Sequence, residues 1–204
     1  MQLKNKINSI SNKTQHLINK RLFEFQSFKN KTNEEWFSEL CFCILTANSK
    51  QKTAEDIQKN LNKRFLTISQ DELAQFIKQS KHRFHNNKAK YIIEARKHKK
   101  IKSILKNKSE LEAREWIIKN IKGLGYKEAS HFLRNTGSQD LAILDRHILN
   151  ILSESDLIER PKFLTPKLYL EIEKEFQKLA KKLNMSPAKL DLSLWYLKTG
   201  RVAK

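Results

Sequence analysis

Only four glycines occur in this 204-residue chain, and two of them fall in the single stretch Gly123-Leu124-Gly125-Tyr126-Lys127. A chain so poor in glycine must be built almost wholly from regular backbone. Two glycines in three positions therefore mark a tight turn where the backbone comes close to something. Leu111–Lys119 before the turn reads as a helix, and Lys127–Arg134 after it reads as another. A helix, a Gly-x-Gly hairpin and a second helix present the free N–H groups and positive dipole end of that second helix at the turn. Such an end is an anion site, and the natural anion is a DNA phosphate. Lys122, Gly123 and Gly125 are the expected contacts to it.

The charge points the same way. Lys and Arg number 41 against 22 Asp and Glu, a formal net charge of +19. An excess this large implies a polyanionic partner. A coding bias that inflates Lys and Asn would leave the same excess as a diffusely basic surface. The basic residues are spread along the chain rather than gathered on one amphipathic helix, which disfavours a membrane surface. Met1–Lys6 is polar and no apolar core follows it, so no secretory leader is expected and the expected location is the cytoplasm, on the nucleoid. The apolar run Leu40–Leu45 is far too short to cross a bilayer. Cys41 and Cys43 are the only cysteines. Two residues apart on a helix, they assemble no zinc or iron–sulfur ligand set and read as buried reduced thiols.

Helix signals recur and strand alternation is absent, so the fold class is all-α. Thr32–Glu35, Ser69–Glu72 and Ser109–Glu112 look like capping boxes. The first opens a helix with Trp36, Phe37, Leu40, Cys41, Ile44 and Leu45 on one face. Ala54, Ile57 and Leu61 mark another, and Lys88–Lys99 carries Ala89, Ile92 and Ile93. Gly137 stands where a glycine would end the helix begun at Lys127. Asp145 can cap a helix running from Arg146 to Leu152. Thr165-Pro166 and Ser186-Pro187 read as cap-and-proline pairs opening the last two helices, and Gly200 closes the final one.

Lys127 and Asp145 carry the chemical reading. Taken alone, Lys127 is equally well a phosphate contact, since lysine is the ordinary point charge for phosphate. Asp145, eighteen residues on, is also a helix cap. But a carboxylate at the start of an apolar helix can project into a cleft beside the Lys127 amine, and that pair is the chemistry of base excision. A neutral amine attacks the sugar C1′ and the base leaves; the carboxylate stabilises the cationic sugar and assists proton movement. The Schiff base that results permits strand cleavage by elimination.

Gly123-Leu-Gly-Tyr-Lys127 with Leu144-Asp-Arg-His147 resembles the helix–hairpin–helix DNA glycosylase superfamily and, within it, the archaeal-type, second-class 8-oxoguanine DNA glycosylase/AP lyases. Leu45–Ser49, Arg83–Ala89, Lys127–Arg134 and the terminal Leu194-Trp-Tyr-Leu-Lys-Thr-Gly-Arg-Val-Ala-Lys204 extend the likeness nearly end to end. The resemblance implies two interlocked helical subdomains, roughly 31–138 with the hairpin and 1–30 plus 139–204, with DNA in the cleft between them and no iron–sulfur cluster. It implies Lys127 as the Schiff-base nucleophile and Asp145 as the catalytic carboxylate. Asn48 would fill the gap left by the flipped base, although a helix C-cap is its other reading. Phe84 and Trp195 would stack on the extruded base, unless they are core packing. His131 and His147 read as phosphate or packing residues. The family's terminal lysine implies that the Lys204 carboxylate helps to read the N7–H that distinguishes 8-oxoguanine from guanine. No metal catalyst or organic cofactor is implied; hairpin carbonyls offer a place for a monovalent cation.

The expected protein is a monomeric, bifunctional glycosidase and lyase acting on DNA that contains oxidised guanine. Two other readings compete: a glycosylase for another oxidised base, and a helix–hairpin–helix module that binds DNA without chemistry.

Overall fold

Three short sequence signals decide where helices begin. In a computed structural model that describes residues 2–204, Thr32/Glu35, Ser69/Glu72 and Ser109/Glu112 each close a complete capping box, side chain to backbone in both directions. They open α3 (Asn33–Thr46), α5 (Gln70–Gln79) and α8 (Glu110–Asn120). Thr165 and Ser186 cap α11 (Pro166–Lys182) and α12 (Pro187–Thr199), each with proline in the first turn, where its missing N–H costs nothing. The other helices are α1 (Gln2–Asn8), α2 (Asn12–Ser27), α4 (Gln51–Leu61), α6 (His85–Ala95), α7 (Ile101–Leu105), α9 (Tyr126–Asn135) and α10 (Arg146–Glu154). The fold is all-α, with no strand among the described residues. No helix among them is long and apolar enough to cross a membrane.

The expected helix at 88–99 differs in detail. It starts three residues earlier, at His85, and gives way after Ala95 to a 3-10 turn, Arg96–His98. α1, α2 and α7 lie where no helix was expected.

The chain divides into two compact units: Asn30–Phe132, and Met1–Lys29 with Leu133–Lys204. The first contains α3 to α8 and the hairpin. Its centre is α3, where every residue from Trp36 to Leu45 is buried, against α4, α6, α7 and the 3-10 turn Asn62–Leu66. A helix buried all round belongs to a core. That accounts for the apolar run Leu40–Leu45 and for Cys41 and Cys43, both wholly buried and outside any disulfide. Burial pushes the Cys41 thiol well up, so it stays protonated and inert.

In the second unit α12 has the matching position, packing against α1, α2, α10 and α11 with Leu190–Leu194 buried. Each central helix carries one buried acid. Glu39 on α3 accepts from Gln58 Nε2 at 3.0 Å, and Asp191 on α12 pairs with Arg134 Nη1 at 2.8 Å. An unpaired buried carboxylate would be costly, so these partners are required by the fold.

Candidate active site

The Gly-x-Gly turn joins α8 to α9. The Ile121 N–H still donates to Ile117 O at 2.8 Å; after that the chain reverses through Gly123, whose φ is +86°. A Cβ there would meet the Tyr91 ring at 2.5 Å, so both conformation and space demand glycine. Gly125 is different. A Cβ on it would meet only Glu128, at an ordinary 3.6 Å. Nothing inside the unit requires this glycine; its absent side chain clears the outer face. The Ala129 N–H donates to Gly125 O at 2.9 Å, so α9 begins on a residue with no side chain to occupy the free N–H groups of the first turn.

Lys127 stands in that first turn. Its Nζ lies 2.9 Å from Glu128 Oε1, with 32% of the lysine side chain and 15% of the glutamate side chain exposed. Lys122, on the exposed edge of the hairpin, has its Nζ over the Tyr91 ring and 3.8 Å from Glu94. Behind the turn, buried Arg114 lies over the Tyr126 ring and donates to Ser130 Oγ. At the far end α9 closes in a Schellman motif: the Gly137 N–H donates to Arg134 O and the Ser138 N–H to Leu133 O. Gly137 thus has the role its position suggested, with φ +110°.

Asn48 and Phe84 lie in the same unit as the hairpin. Ala47, not Asn48, caps α3; Asn48 follows it in the left-handed region at φ 60°, exposed on the turn before α4. Asparagine is among the few residues that tolerate this conformation. Phe84 is half-buried at the start of α6, under the Arg83 guanidinium at 4.8 Å. His82, which no sequence signal marks, joins the two segments. The Phe84 N–H donates to His82 Nδ1 at 3.2 Å, and His82 Nε2 meets Leu45 O at 2.8 Å. Those partners set the tautomer: Nδ1 accepts, so Nε2 carries the proton and donates. Burial lowers the pKa of His82 and keeps the ring neutral.

The second unit holds Asp145, Trp195 and Lys204. Asp145 is the N-cap of α10, and one oxygen, Oδ1, accepts from both His147 N and Ile148 N at 2.8 Å. The second oxygen remains for other partners. His147 packs on Trp195 with the two rings nearly perpendicular, centroids 5.1 Å apart at 82°. His131, in the hairpin unit, does the same against Phe42. Asp145 also bears on Asp191: burial is the main cause that raises the Asp191 pKa, Arg134 opposes it, and the charge of Asp145 adds to it. Gly200, at φ 71°, turns the chain after α12, and Val202 packs with Tyr196 and Leu22 against Ile10, Ile18, Phe25 and Leu192. Val202–Lys204 is therefore a half-buried, seated tail.

Three comparisons bear on this arrangement. The family model described as 8-oxoguanine DNA glycosylase matches residues 18–185. The 8-oxoguanine DNA glycosylase/AP lyase of Methanocaldococcus jannaschii is 49% identical, with all of both chains covered. The crystal structure of the 8-oxoguanine glycosylase/lyase from that organism, in complex with a 15mer DNA containing 8-oxoguanine, superposes with a TM-score of 0.97 at 48% identity, covering 100% of both chains. A non-covalent endonuclease III–DNA complex is similar at a TM-score of 0.57 and 18% identity, over 89% of this chain and 85% of the other, which is a likeness of fold alone.

Proposed function

The chain belongs to the 8-oxoguanine DNA glycosylase family, and from that premise we infer that it excises 8-oxoguanine from DNA and nicks the strand at the abasic site that results. It is a DNA glycosylase with lyase activity, acting as a monomer on the DNA of the cytoplasmic nucleoid. The observation that carries the reading is the placement of Lys127: an amine in the first turn of a helix that a side-chain-free N-cap leaves open to phosphate.

The chemistry follows from the groups. The first-turn N–H groups of α9, with Lys122 and the bare backbone of Gly123 and Gly125, hold a DNA phosphate. The neutral Lys127 amine attacks C1′, the N-glycosidic bond breaks, and the base leaves with its electron pair and takes up a proton. The amine nitrogen loses one proton, its lone pair expels O4′ from C1′, O4′ takes up a proton as the ring opens, and a protonated Schiff base forms. Removal of a C2′ proton then expels the 3′ phosphate, which is the lyase step. Asp145 stabilises the cationic sugar through its second oxygen, while the first stays bound to the backbone. Asn48 fills the gap left by the flipped base. Trp195 and Phe84 stack on that base, and Lys204 reads it from the seated tail. No step uses a metal or an organic cofactor; a monovalent cation on the hairpin carbonyls would only steady the turn.

Borohydride trapping over a panel of lesion duplexes tests this reading. The expected result is a covalent adduct with 8-oxoguanine DNA in preference to oxidised pyrimidines. No adduct with any lesion would leave a DNA-binding module, and preference for a pyrimidine lesion would reassign the substrate.

A further inference from the structure

The segment that leads into Asp145 is irregular, yet Leu141, Ala142, Ile143 and Leu144 are all buried. It lies outside every helix, and no strand occurs among the described residues, so its backbone N–H and C=O groups need other partners. Helix α11 supplies them from side chains. Tyr169, Glu173 and Gln177 follow one another at four-residue spacing and share one face of that helix. Gln177 Nε2 donates to Asp140 O at 2.8 Å. The Ala142 N–H donates to Glu173 Oε1 at 2.9 Å. The Tyr169 hydroxyl makes two bonds: it donates to Ala142 O at 2.7 Å and accepts from the Leu144 N–H at 3.3 Å. One residue further on, the Asp145 N–H donates to Ile143 O at 3.0 Å. Tyr169 and Glu173 are each only 3% exposed, so these bonds form out of water, where loss of a partner is costly.

We propose that Tyr169 is a positioning residue for the excision reaction: its hydroxyl, bonded on both sides of Ile143, fixes the turn from which Asp145 presents its second oxygen to the sugar. The proposal rests on the reading of Asp145 as the catalytic carboxylate. Asp145 is held from two directions. Ahead of it, the His147 and Ile148 N–H groups bind Oδ1. Those bonds orient the carboxylate on α10 but do not fix where α10 begins. The hydroxyl does so from behind, by tying Ala142 and Leu144 to a single atom of α11. Glu173 and Gln177 extend the same anchorage upstream. A carboxylate that stabilises a developing cation acts best when it is in place before the charge appears. A misplacement of about 1 Å is enough to cost a large part of the rate.

The experiment is a double-mutant cycle on the full-length protein: wild type, Tyr169→Phe, Asp145→Asn and the two together. It measures single-turnover base release from an 8-oxoguanine duplex at saturating enzyme, with affinity for undamaged duplex beside it and urea unfolding to show that each variant is folded. Tyr169→Phe keeps the buried ring and removes only the hydroxyl. Base release slows by roughly tenfold, as for a misplaced reacting group, while duplex affinity is unchanged. On the Asp145→Asn background the same substitution costs less than about twofold, because no catalytic carboxylate is left to misplace. A hydroxyl that served the fold alone would cost the same factor on both backgrounds. That result, or a wild-type rate in a folded Tyr169→Phe protein, overturns the proposal. If Tyr169→Phe does not fold, Glu173→Met takes its place in the cycle, since it frees the Ala142 N–H of the same segment; equal loss on both backgrounds, or none, again overturns it. The two readings fail separately. Asp145→Asn with a wild-type rate removes the catalytic role of Asp145 and this proposal with it, whereas a slow Asp145→Asn beside a fast Tyr169→Phe removes only the role of the hydroxyl.

Discussion

Lys127 and Asp145 are held by opposite means. Lys127 reaches out on a flexible side chain, a third exposed, with its amine on the carboxylate of the next residue. Asp145 is fixed by two backbone N–H groups at 2.8 Å, both on a single oxygen. The difference suits the work proposed for each. A nucleophile must change partners, lose a proton and form a bond. A carboxylate that stabilises a developing cation contributes most when it does not have to reorganise. The hairpin unit carries the partly exposed amine and the α10 unit the carboxylate bound to the backbone.

The largest expected effect breaks the first half of this comparison. Lys127→Gln removes the amine and keeps a polar side chain of similar length. Base release and borohydride trapping both vanish, while binding to undamaged duplex survives on the helix N-terminus and the remaining basic residues. Gel-shift and trapping assays on the same preparation check it; full base release by the variant would reduce Lys127 to a phosphate contact.

Asp145→Asn tests the second half. The amide keeps an oxygen for the two cap bonds, so stability falls by only some tenths of a kcal/mol to about 1 kcal/mol. Base release falls by roughly two to three orders of magnitude, as loss of a preorganised electrostatic group does elsewhere. Denaturant unfolding and single-turnover rates, measured together, separate the two roles. A rate that falls only as far as the stability does would make Asp145 a cap and no more.

The cap at Asp145 was legible because capping is local: the carboxylate, the apolar residues after it and their spacing all lie within one turn. The three capping boxes, the Thr165-Pro166 and Ser186-Pro187 starts and the Gly137 stop were legible for the same reason. α2 was not assigned because its apolar positions, Leu17, Ile18, Leu22, Phe23 and Phe25, are diluted by Asn, Lys and Gln, and Leu17 and Phe23 are in fact exposed. α7 is five residues long and carries no side-chain cap. Within the site, His82 and Glu128 went unrecognised. His82 owes its role to the carbonyl of Leu45, 37 residues away in sequence. Tertiary contacts of this kind leave no local spacing to read.

A third expectation sharpens the comparison within the α10 unit. If that unit recognises the flipped base as well as stabilising the sugar, recognition can be damaged separately. The tail after Gly200 is seated by Val202. Removing Lys204 keeps that anchor and takes away only the last residue. Excision of 8-oxoguanine should fall by about tenfold, the cost of losing one base-reading hydrogen bond of about 1.4 kcal/mol. Cleavage of a preformed abasic site, which has no base to read, should be nearly unchanged. Equal loss on both substrates would mean that the tail supports the fold and not the pocket.

The smallest effect concerns how the hairpin unit holds Asn48 and Phe84 in place. The Asp145 cap is made by a carboxylate oxygen, whereas the link between these two segments is made by a neutral imidazole. His82→Leu leaves the Leu45 carbonyl and the Phe84 N–H without their partner, at a cost of about 2 kcal/mol above neutrality. The wild-type advantage must then depend on pH with a definite sign. Burial lowers the His82 pKa in the folded protein, so the unfolded chain binds the proton more readily. The stability that His82 contributes is complete above the unfolded value of about 6.5 and is lost as pH falls through the lowered folded value. Protonation puts a hydrogen on Nδ1, which can then no longer accept from the Phe84 N–H. Urea unfolding of wild type and His82→Leu at pH 8 and pH 5 should show a gap that narrows in acid, because every other titrating group is common to both proteins. A gap that stays constant, or widens, would mean that the ring is held by packing rather than by its two backbone bonds.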